Sequence, residues 1–264
     1  EERWSVGGLP FVATFNDLGI DRRANSTAVD FVHRKIKDIV KDEQTADTLC
    51  PDTVLGCKRL CVDSNYYETF NRSNVFLVDI KQNPIKNITK NGLVTADKDY
   101  KFDSLILATG FDAMTGALAD ISITGREKQT LASHWSEGPQ NYLGLMVSGF
   151  PNMFTITGPG SPSVLSNMIV AIEQHVNFIT NLLDFMKQTQ RKTVETSEKA
   201  ETEWVQQVNA IAAQTLYTSG CNSWYLGANI PGKPRIFMPH IGFPTYVEKC
   251  NEVAAQDYQG FKFS

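Results

Sequence analysis

The side chains with the greatest chemical reach in this sequence form an adjacent cation pair, Lys58-Arg59, just after Pro51-Asp-Thr-Val-Leu-Gly56. Arginine presents a planar, permanently charged fork of donors and lysine a compact charge. The pair therefore suits an anion site or a solvated face alike. Gly158-Pro-Gly-Ser-Pro-Ser163 has the outline G-x-G-x-x-S. A dinucleotide loop needs glycines so that the backbone can approach a pyrophosphate, and here two prolines and a terminal serine weaken that reading. The same loop reads equally as a rigid connection that delivers a helix start near Ser166-Asn167-Met168. Free N–H groups there would favour negative charge. Ala108-Thr109-Gly110 is small enough for close approach by a cofactor or by a packed helix. Trp224-Tyr225, within N-S-W-Y-L-G-A-N, reads locally as core. His33, His134, His175 and His240 are scattered and read as structural or surface residues, with no metal site. No serine-nucleophile elbow, zinc-protease, P-loop or EF-hand signature is present.

These residues need elements to hold them. Val29, Val32, Ile36 and Ile39 recur at helical spacing, which predicts a helix over 28–40. Residues 57–72 read as a strand end followed by a short helix or loop. Strands are expected at Asn74–Ile80, Pro84–Thr89 and Leu93–Ala96, with Asn91-Gly92 as a hairpin turn. Phe102–Thr109 reads as a strand apolar enough for burial on both faces, and Met153–Thr157 as another strand. Two long helices follow. The first should bury a stripe of Leu165, Ile169, Ile172, Val176, Ile179 and Leu183. The second should bury Trp204, Val208, Ile211 and Thr215, with an acidic face opposite. Residues 221–248 are rich in Gly, Pro and aromatics. Strands mixed with helices indicate an α/β fold.

Apolar residues make up 42% of the 264 residues and charged residues 20%, and the net charge is −4. No basic block is present, so nothing points to nucleic acid. No apolar run approaches the roughly 20 residues of a membrane span. Glu1-Glu2-Arg3-Trp4 has neither an initiator Met nor a secretory signal, and it reads as a chain entered in mid-sequence. The protein is expected to be cytoplasmic. The sequons at Asn25, Asn71 and Asn87 are taken as chance matches.

In order and spacing the segments together resemble the Baeyer–Villiger monooxygenases of the phenylacetone and cyclohexanone type. The resemblance runs along nearly the whole chain. It includes Phe15-Asn16-Asp17, Ala24-Asn25, Lys58-Arg59-Leu60-Cys61, Tyr66-Tyr67-Glu68 and Phe70-Asn71-Arg72-Ser73-Asn74-Val75. It continues through Leu107–Ala113, Thr115-Gly116, Gly149-Phe150-Pro151-Asn152, Gly158–Pro162 and Glu173-Gln174-His175-Val176 to Ser223–Lys233.

The resemblance implies the C-terminal part of a flavoprotein with two dinucleotide-binding domains and a helical insert. Residues 1–56 would end the insert, 57–103 would return to the NADPH domain, and 104–264 would belong to the FAD domain, with a mobile loop near 221–233. The implied activity uses NADPH, FAD and O₂ to insert one oxygen atom into a ketone, giving an ester or lactone. Arg59 is then the catalytic residue beside the flavin, stabilising the charge that develops there. Lys58 matches a basic residue near the NADPH 2′-phosphate, and Trp224 the tryptophan that closes over the nicotinamide ribose. Ala108, Thr109, Gly110, Asn167 and Met168 are implied in cofactor binding. Ser163, Val164, Leu165 and Met168 are implied in the substrate wall.

The family's N-terminal portion, with both G-x-G-x-x-G loops, the F-x-G-x-x-x-H-x-x-x-W-P fingerprint and an acidic partner for the arginine, does not occur in this sequence. That portion is the expected partner, and this chain alone is expected to be inactive. Where relatives carry two glycines, Met238-Pro-His-Ile-Gly242-Phe243 has one. Two other readings stand beside this one: a non-catalytic fragment that binds an N-terminal partner chain, and a flavin-dependent N-hydroxylating monooxygenase.

Overall fold

A computed structural model describes residues 1–218, 221–228, 231–232 and 239–264. The chain divides into two compact units, Glu1–Gly110 and Phe111–Ser264.

The first unit is organised by helix α1 (Arg22–Ile39). Asp21 caps it by accepting the Ala24 amide at 2.8 Å, which satisfies one donor of the first turn. Asp42 caps α2 (Glu43–Leu49) in the same way through Thr45. Ile36, Val40 and Ala46 bury against Val32, Leu49, Tyr67 and Phe70. The helical face expected over 28–40 is therefore the one that packs. A three-stranded antiparallel meander follows, β1 (Ile85–Thr89), β2 (Gly92–Thr95) and β3 (Asp99–Lys101). Thr89 pairs with Gly92 across the expected hairpin turn. Gly92 is required there, because a Cβ would stand 1.9 Å from the Tyr100 carbonyl oxygen.

Two expected strands of this unit do not form. Asn74–Ile80 has no strand pairing, and neither has Phe102–Thr109. The second segment is irregular and open to solvent, with Ile106 88% and Leu107 69% exposed. β-propensity measures fit to a pleated neighbour, and a strand exists only where its N–H and C=O groups meet a ladder. Residues 57–72 likewise contain no strand; a short helical turn at Tyr66–Thr69 stands in that stretch.

The second unit is built on three helices, α3 (Met168–Gln188), α4 (Glu198–Ala213) and α5 (Phe243–Ala255). A small antiparallel pair joins β4 (Val194–Thr196) to β5 (Phe261–Phe263). Its main core includes Leu143, Leu145, Met146, Phe178, Leu182, Trp204, Val208 and Tyr246. Met153–Thr157 is an irregular segment. It is held by the Thr155 amide donating to the Leu145 carbonyl at 2.8 Å.

Helix α3 keeps only part of the expected stripe, with Ile179 packed against the main core and Leu165 in a second cluster. Ala171, His175, Phe178, Leu182 and Met186 are buried, while Ile169, Val176 and Leu183 are 65%, 46% and 48% exposed. The helix is apolar on two faces, and periodicity alone does not choose between them. On α4 the expected Trp204 and Val208 are buried, and Glu201, one turn before Trp204, is buried with them. It accepts the Ser148 amide at 3.0 Å and meets His134 Nε2 at 3.2 Å, partners that make a buried carboxylate tolerable. Helix α5 arises from a Gly/Pro-rich stretch, with Pro244 in the first turn, where a missing N–H costs nothing. Among the described residues no helix is long and apolar enough to cross a membrane.

Candidate active site

In the first unit the cation pair is placed by an asparagine thirty residues before Leu55. Asn25 is 2% exposed on α1. Its Nδ2 donates to the Leu18 and Leu55 carbonyls at 2.8 and 3.0 Å, and its Oδ1 accepts the Leu55 amide at 3.0 Å. The next turn is closed by the Cys57 amide donating to Val54 O at 3.2 Å. Cys57 is buried, and Lys58 and Arg59 then emerge on an exposed loop. A second asparagine, Asn71, fixes the far end of α1. It donates to Ile39 O and accepts the Lys41 amide, both at 2.8 Å. Asn25 and Asn71 are thus structural clamps, each holding backbone groups through both atoms of its amide. Ala108, Thr109 and Gly110 lie on the exposed, irregular segment. Gly110 has φ 85°, and a Cβ there would meet nothing within 4 Å.

In the second unit the loop at 158–168 is rigid. Gly158 and Gly144 face each other so closely that a Cβ on Gly158 would lie 2.5 Å from Gly144 O. Ser161, fully buried, donates its hydroxyl to Gly158 O at 2.7 Å. Ser163 is 4% exposed and adopts φ 43°, which is unfavourable for a side-chain-bearing residue. It opens a tight turn at Ser163–Leu165. Asn167 then caps α3, accepting the Ile169 and Val170 amides at 3.0 and 3.4 Å. Two of the donors expected to favour an anion at this helix start are therefore taken by its own cap. Met168 is 37% exposed at the first turn.

Val164 and Leu165 pack in one apolar cluster with Trp224, Tyr225, Tyr217 and Ile241. The structure thus brings together the expected wall residues Val164 and Leu165 and the expected loop tryptophan. Trp224 sits in a short turn capped by Ser223, whose Oγ accepts the Tyr225 amide at 3.2 Å. Its ring centroid is 4.5 Å from that of Tyr225. Asn229, Ile230, Lys233 and Met238, which belong to the motifs read above, lie outside the described residues.

A polar group that spacing did not reveal stands behind this loop. His175 and Tyr246 are both completely buried. His175 Nδ1 accepts the Thr157 amide at 2.9 Å, and Nε2 lies 2.7 Å from Tyr246 Oη. Tyr246 in turn donates to Leu143 O at 2.7 Å. Burial pulls the His175 pKa down to about 4 and pushes the Tyr246 phenol well above its ordinary value. The two residues are far apart in sequence. The only signal touching either was the Glu173-Gln174-His175-Val176 motif.

No protein-family profile matches the chain. It is 41% identical to the phenazine N-monooxygenase of Lysobacter antibioticus, across 99% of this chain and 48% of that protein. It is 37% identical to the cyclohexanone 1,2-monooxygenase of an Acinetobacter species, again across 99% of this chain and 48% of the other. A solved steroid monooxygenase bound to NADP superposes with a TM-score of 0.92 at 44% identity, covering 99% of this chain and 50% of that one. The chain spans about half the length of the relatives it matches, and along nearly all of its residues it is homologous to the C-terminal part of monooxygenases of the Baeyer–Villiger type.

Proposed function

We propose that this chain is the C-terminal part of an NADPH- and FAD-dependent Baeyer–Villiger monooxygenase that inserts one oxygen atom of O₂ into a ketone. The observation that carries this reading is the 44% identity at a TM-score of 0.92 to a solved steroid monooxygenase, maintained over 99% of the chain. Residues 1–56 would close a helical insert, 57–103 would complete the NADPH domain, and 104–264 the FAD domain. The N-terminal portion of the same enzyme would be the partner that supplies the pyrophosphate loops, and the assembled enzyme would be cytoplasmic.

The residues present fit the edges of such cofactor sites. Ala108-Thr109-Gly110 is exposed and carries no bulky chain. The open space beside Gly110 leaves room for a flat ring system to approach the backbone. FAD, when bound, supplies the oxygen-activating chemistry and NADPH the hydride. The chain's own residues then have three tasks. Arg59 holds a fixed positive charge, delivered by the Asn25 clamp, where negative charge develops on the ketone oxygen. Lys58 offers a compact charge to the NADPH 2′-phosphate. Ser163, Val164, Leu165 and Met168 form one wall for the ketone, with Asn167 shaping the helix start and Trp224 packed behind.

The 41% identity to a phenazine N-monooxygenase favours a second reading, N-oxidation of a heteroaromatic nitrogen by the same machinery. One experiment separates the two. The full-length gene product is incubated with NADPH and O₂, and with either cyclohexanone or phenazine. A lactone heavier by one oxygen atom, formed with matching NADPH consumption, supports the first reading. An N-oxide without lactone replaces it by the second.

A further inference from the structure

The hydrogen bonds around His175 run in a single direction. A backbone amide only donates, so the Thr157 amide at 2.9 Å fixes Nδ1 as a bare acceptor. The neutral ring must then carry its proton on Nε2, which donates to Tyr246 Oη at 2.7 Å. Tyr246 spends its own proton on Leu143 O at 2.7 Å. Helices α3 and α5 thereby tie together two loop residues, and both have left-handed backbones: φ 52° at Thr157 and φ 59° at Leu143. A β-branched or branched side chain in that region is strained and persists only where the surroundings impose it. The residue after each is a glycine, Gly158 and Gly144, and these two pack backbone to backbone. Thr155 adds a bond from its hydroxyl to Gly144 O at 2.8 Å. From Gly158 the chain runs straight into the turn at Ser163–Leu165.

We infer that His175 and Tyr246 are positioning residues for the Ser163–Leu165 wall: by clamping Thr157 and Leu143 they set where that wall stands, and so act on ketone preference without touching the ketone. The inference rests on the reading of Ser163–Leu165 as part of the substrate pocket. It adds that the pocket's shape is held by a buried relay some residues away from it. A packing role alone would make any apolar replacement of similar volume equivalent. A directional relay makes the Nδ1 acceptor the critical atom.

The test uses the full-length gene product and the variants Tyr246→Phe, His175→Leu and His175→Asn, with Leu165→Ala as a direct change to the wall. Cyclohexanone and a bulkier aromatic ketone are compared by kcat/KM. Tyr246→Phe and His175→Leu are expected to keep bound FAD and NADPH-driven flavin reduction, while the ratio of the two kcat/KM values shifts by about tenfold. His175→Asn places a carboxamide oxygen near the position of Nδ1 and should restore much of the parent ratio. Long-range proton–nitrogen NMR of the parent should show His175 protonated at Nε2 only, and hydrogen exchange should show a protected Thr157 amide.

An unchanged ratio in Tyr246→Phe and His175→Leu, beside a shifted ratio in Leu165→Ala, overturns the inference and leaves the pocket reading standing. An unchanged ratio in Leu165→Ala as well removes the wall from the pocket and both readings fall. If His175→Leu does not fold, the comparison of His175→Asn with Tyr246→Phe and the parent's tautomer still decide. A proton on Nδ1, or an unprotected Thr157 amide, sinks the relay.

Discussion

Asn25 and Leu55 bond to each other twice. The Leu55 amide donates to Asn25 Oδ1 and Asn25 Nδ2 donates to Leu55 O, each at 3.0 Å. A third bond to Leu18 O makes this one side chain the junction of three backbone segments. Asn25→Ala strands a buried amide and two carbonyls, at a cost of about 2–4 kcal/mol. The expected result is a lower denaturant midpoint, together with weaker ester formation, because the loop carrying Lys58 and Arg59 loses its anchor. A midpoint equal to that of the parent refutes the clamp. Mass spectrometry of protein made in a glycosylating host should find Asn25 unmodified.

For Arg59 the prediction separates two half-reactions of the full-length enzyme. Arg59→Ala should lower ester formation by on the order of 10²-fold or more, since a full charge is worth at least one oxyanion donor. Flavin reduction by NADPH should persist. Arg59→Lys should rescue little, because a point charge on another stem does not reproduce the fork. Stopped-flow absorbance follows each step. Ester formation near the parent rate in Arg59→Ala reduces the pair to a solvated face.

His175 gives the fold a pH dependence of defined sign. Its folded-state pKa is about 4, below the ordinary 6.5 it regains on unfolding. The unfolded chain therefore binds more protons in this window. The stabilisation by the neutral ring is complete above pH 6.5 and is lost as the pH falls toward 4, a change of about 3 kcal/mol. The groups around Tyr246 leave this sign intact. The Tyr246 phenol and the Cys250 thiol, raised to about 11, stay neutral throughout. His240, also lowered by burial, adds a slope of its own. Denaturation at pH 4 to 7 should therefore show a shallower slope in His175→Asn than in the parent. Identical slopes refute the assignment.

Expressed alone, the chain is expected to be colourless and prone to associate. Neither pyrophosphate loop is in this sequence. Ile106 and Phe111 are each 88% exposed and Ile169 is 65% exposed, large apolar surface for water to meet. Absorbance for bound flavin, binding of an apolar dye and light scattering give the readouts. A yellow monomer with stoichiometric FAD, or a sharp melt without dye binding, contradicts this.

What the sequence revealed of the fold was its local code. The apolar spacing of Val29, Val32, Ile36 and Ile39 and the turn Asn91-Gly92 act within a few residues; the hairpin formed as read, and the helix formed but starts at Arg22, six residues before the expected 28. The segments 74–80, 102–109 and 153–157 have strand-like composition, but a strand needs a ladder from elsewhere, and no local pattern reports whether one is present. Helix α3 misled for a related reason. Both of its faces are apolar, and the packing of the whole unit selected Phe178 and Leu182 over Val176 and Leu183. The stretch 221–248 read only as rich in Gly, Pro and aromatics, and Pro244 opens α5 in a first turn, where proline is harmless. The candidate site was legible through the order of its motifs rather than through any one of them. The His175–Tyr246 pair stayed hidden, because two residues 71 positions apart share no periodicity.

The mutual approach of Gly144 and Gly158 has an evolutionary consequence. A methyl group on Gly158 would press on the Gly144 carbonyl at 2.5 Å, and one on Gly144 would stand 2.9 Å from the Gly158 carbonyl and 2.8 Å from the Ser161 amide. Side chains crowd the same space, Ser161 Cβ 2.6 Å from the Gly144 methyl and Thr155 Oγ1 2.6 Å from the Gly158 methyl, but the main-chain atoms are the obstacles that no second substitution can shrink. The two positions thus offer no compensatory path: neither can drift first and be repaired later. Diverging lineages are expected to keep this crossing point and to vary the side chains that follow it, among them Val164, Leu165 and Met168, on an unchanged backbone track.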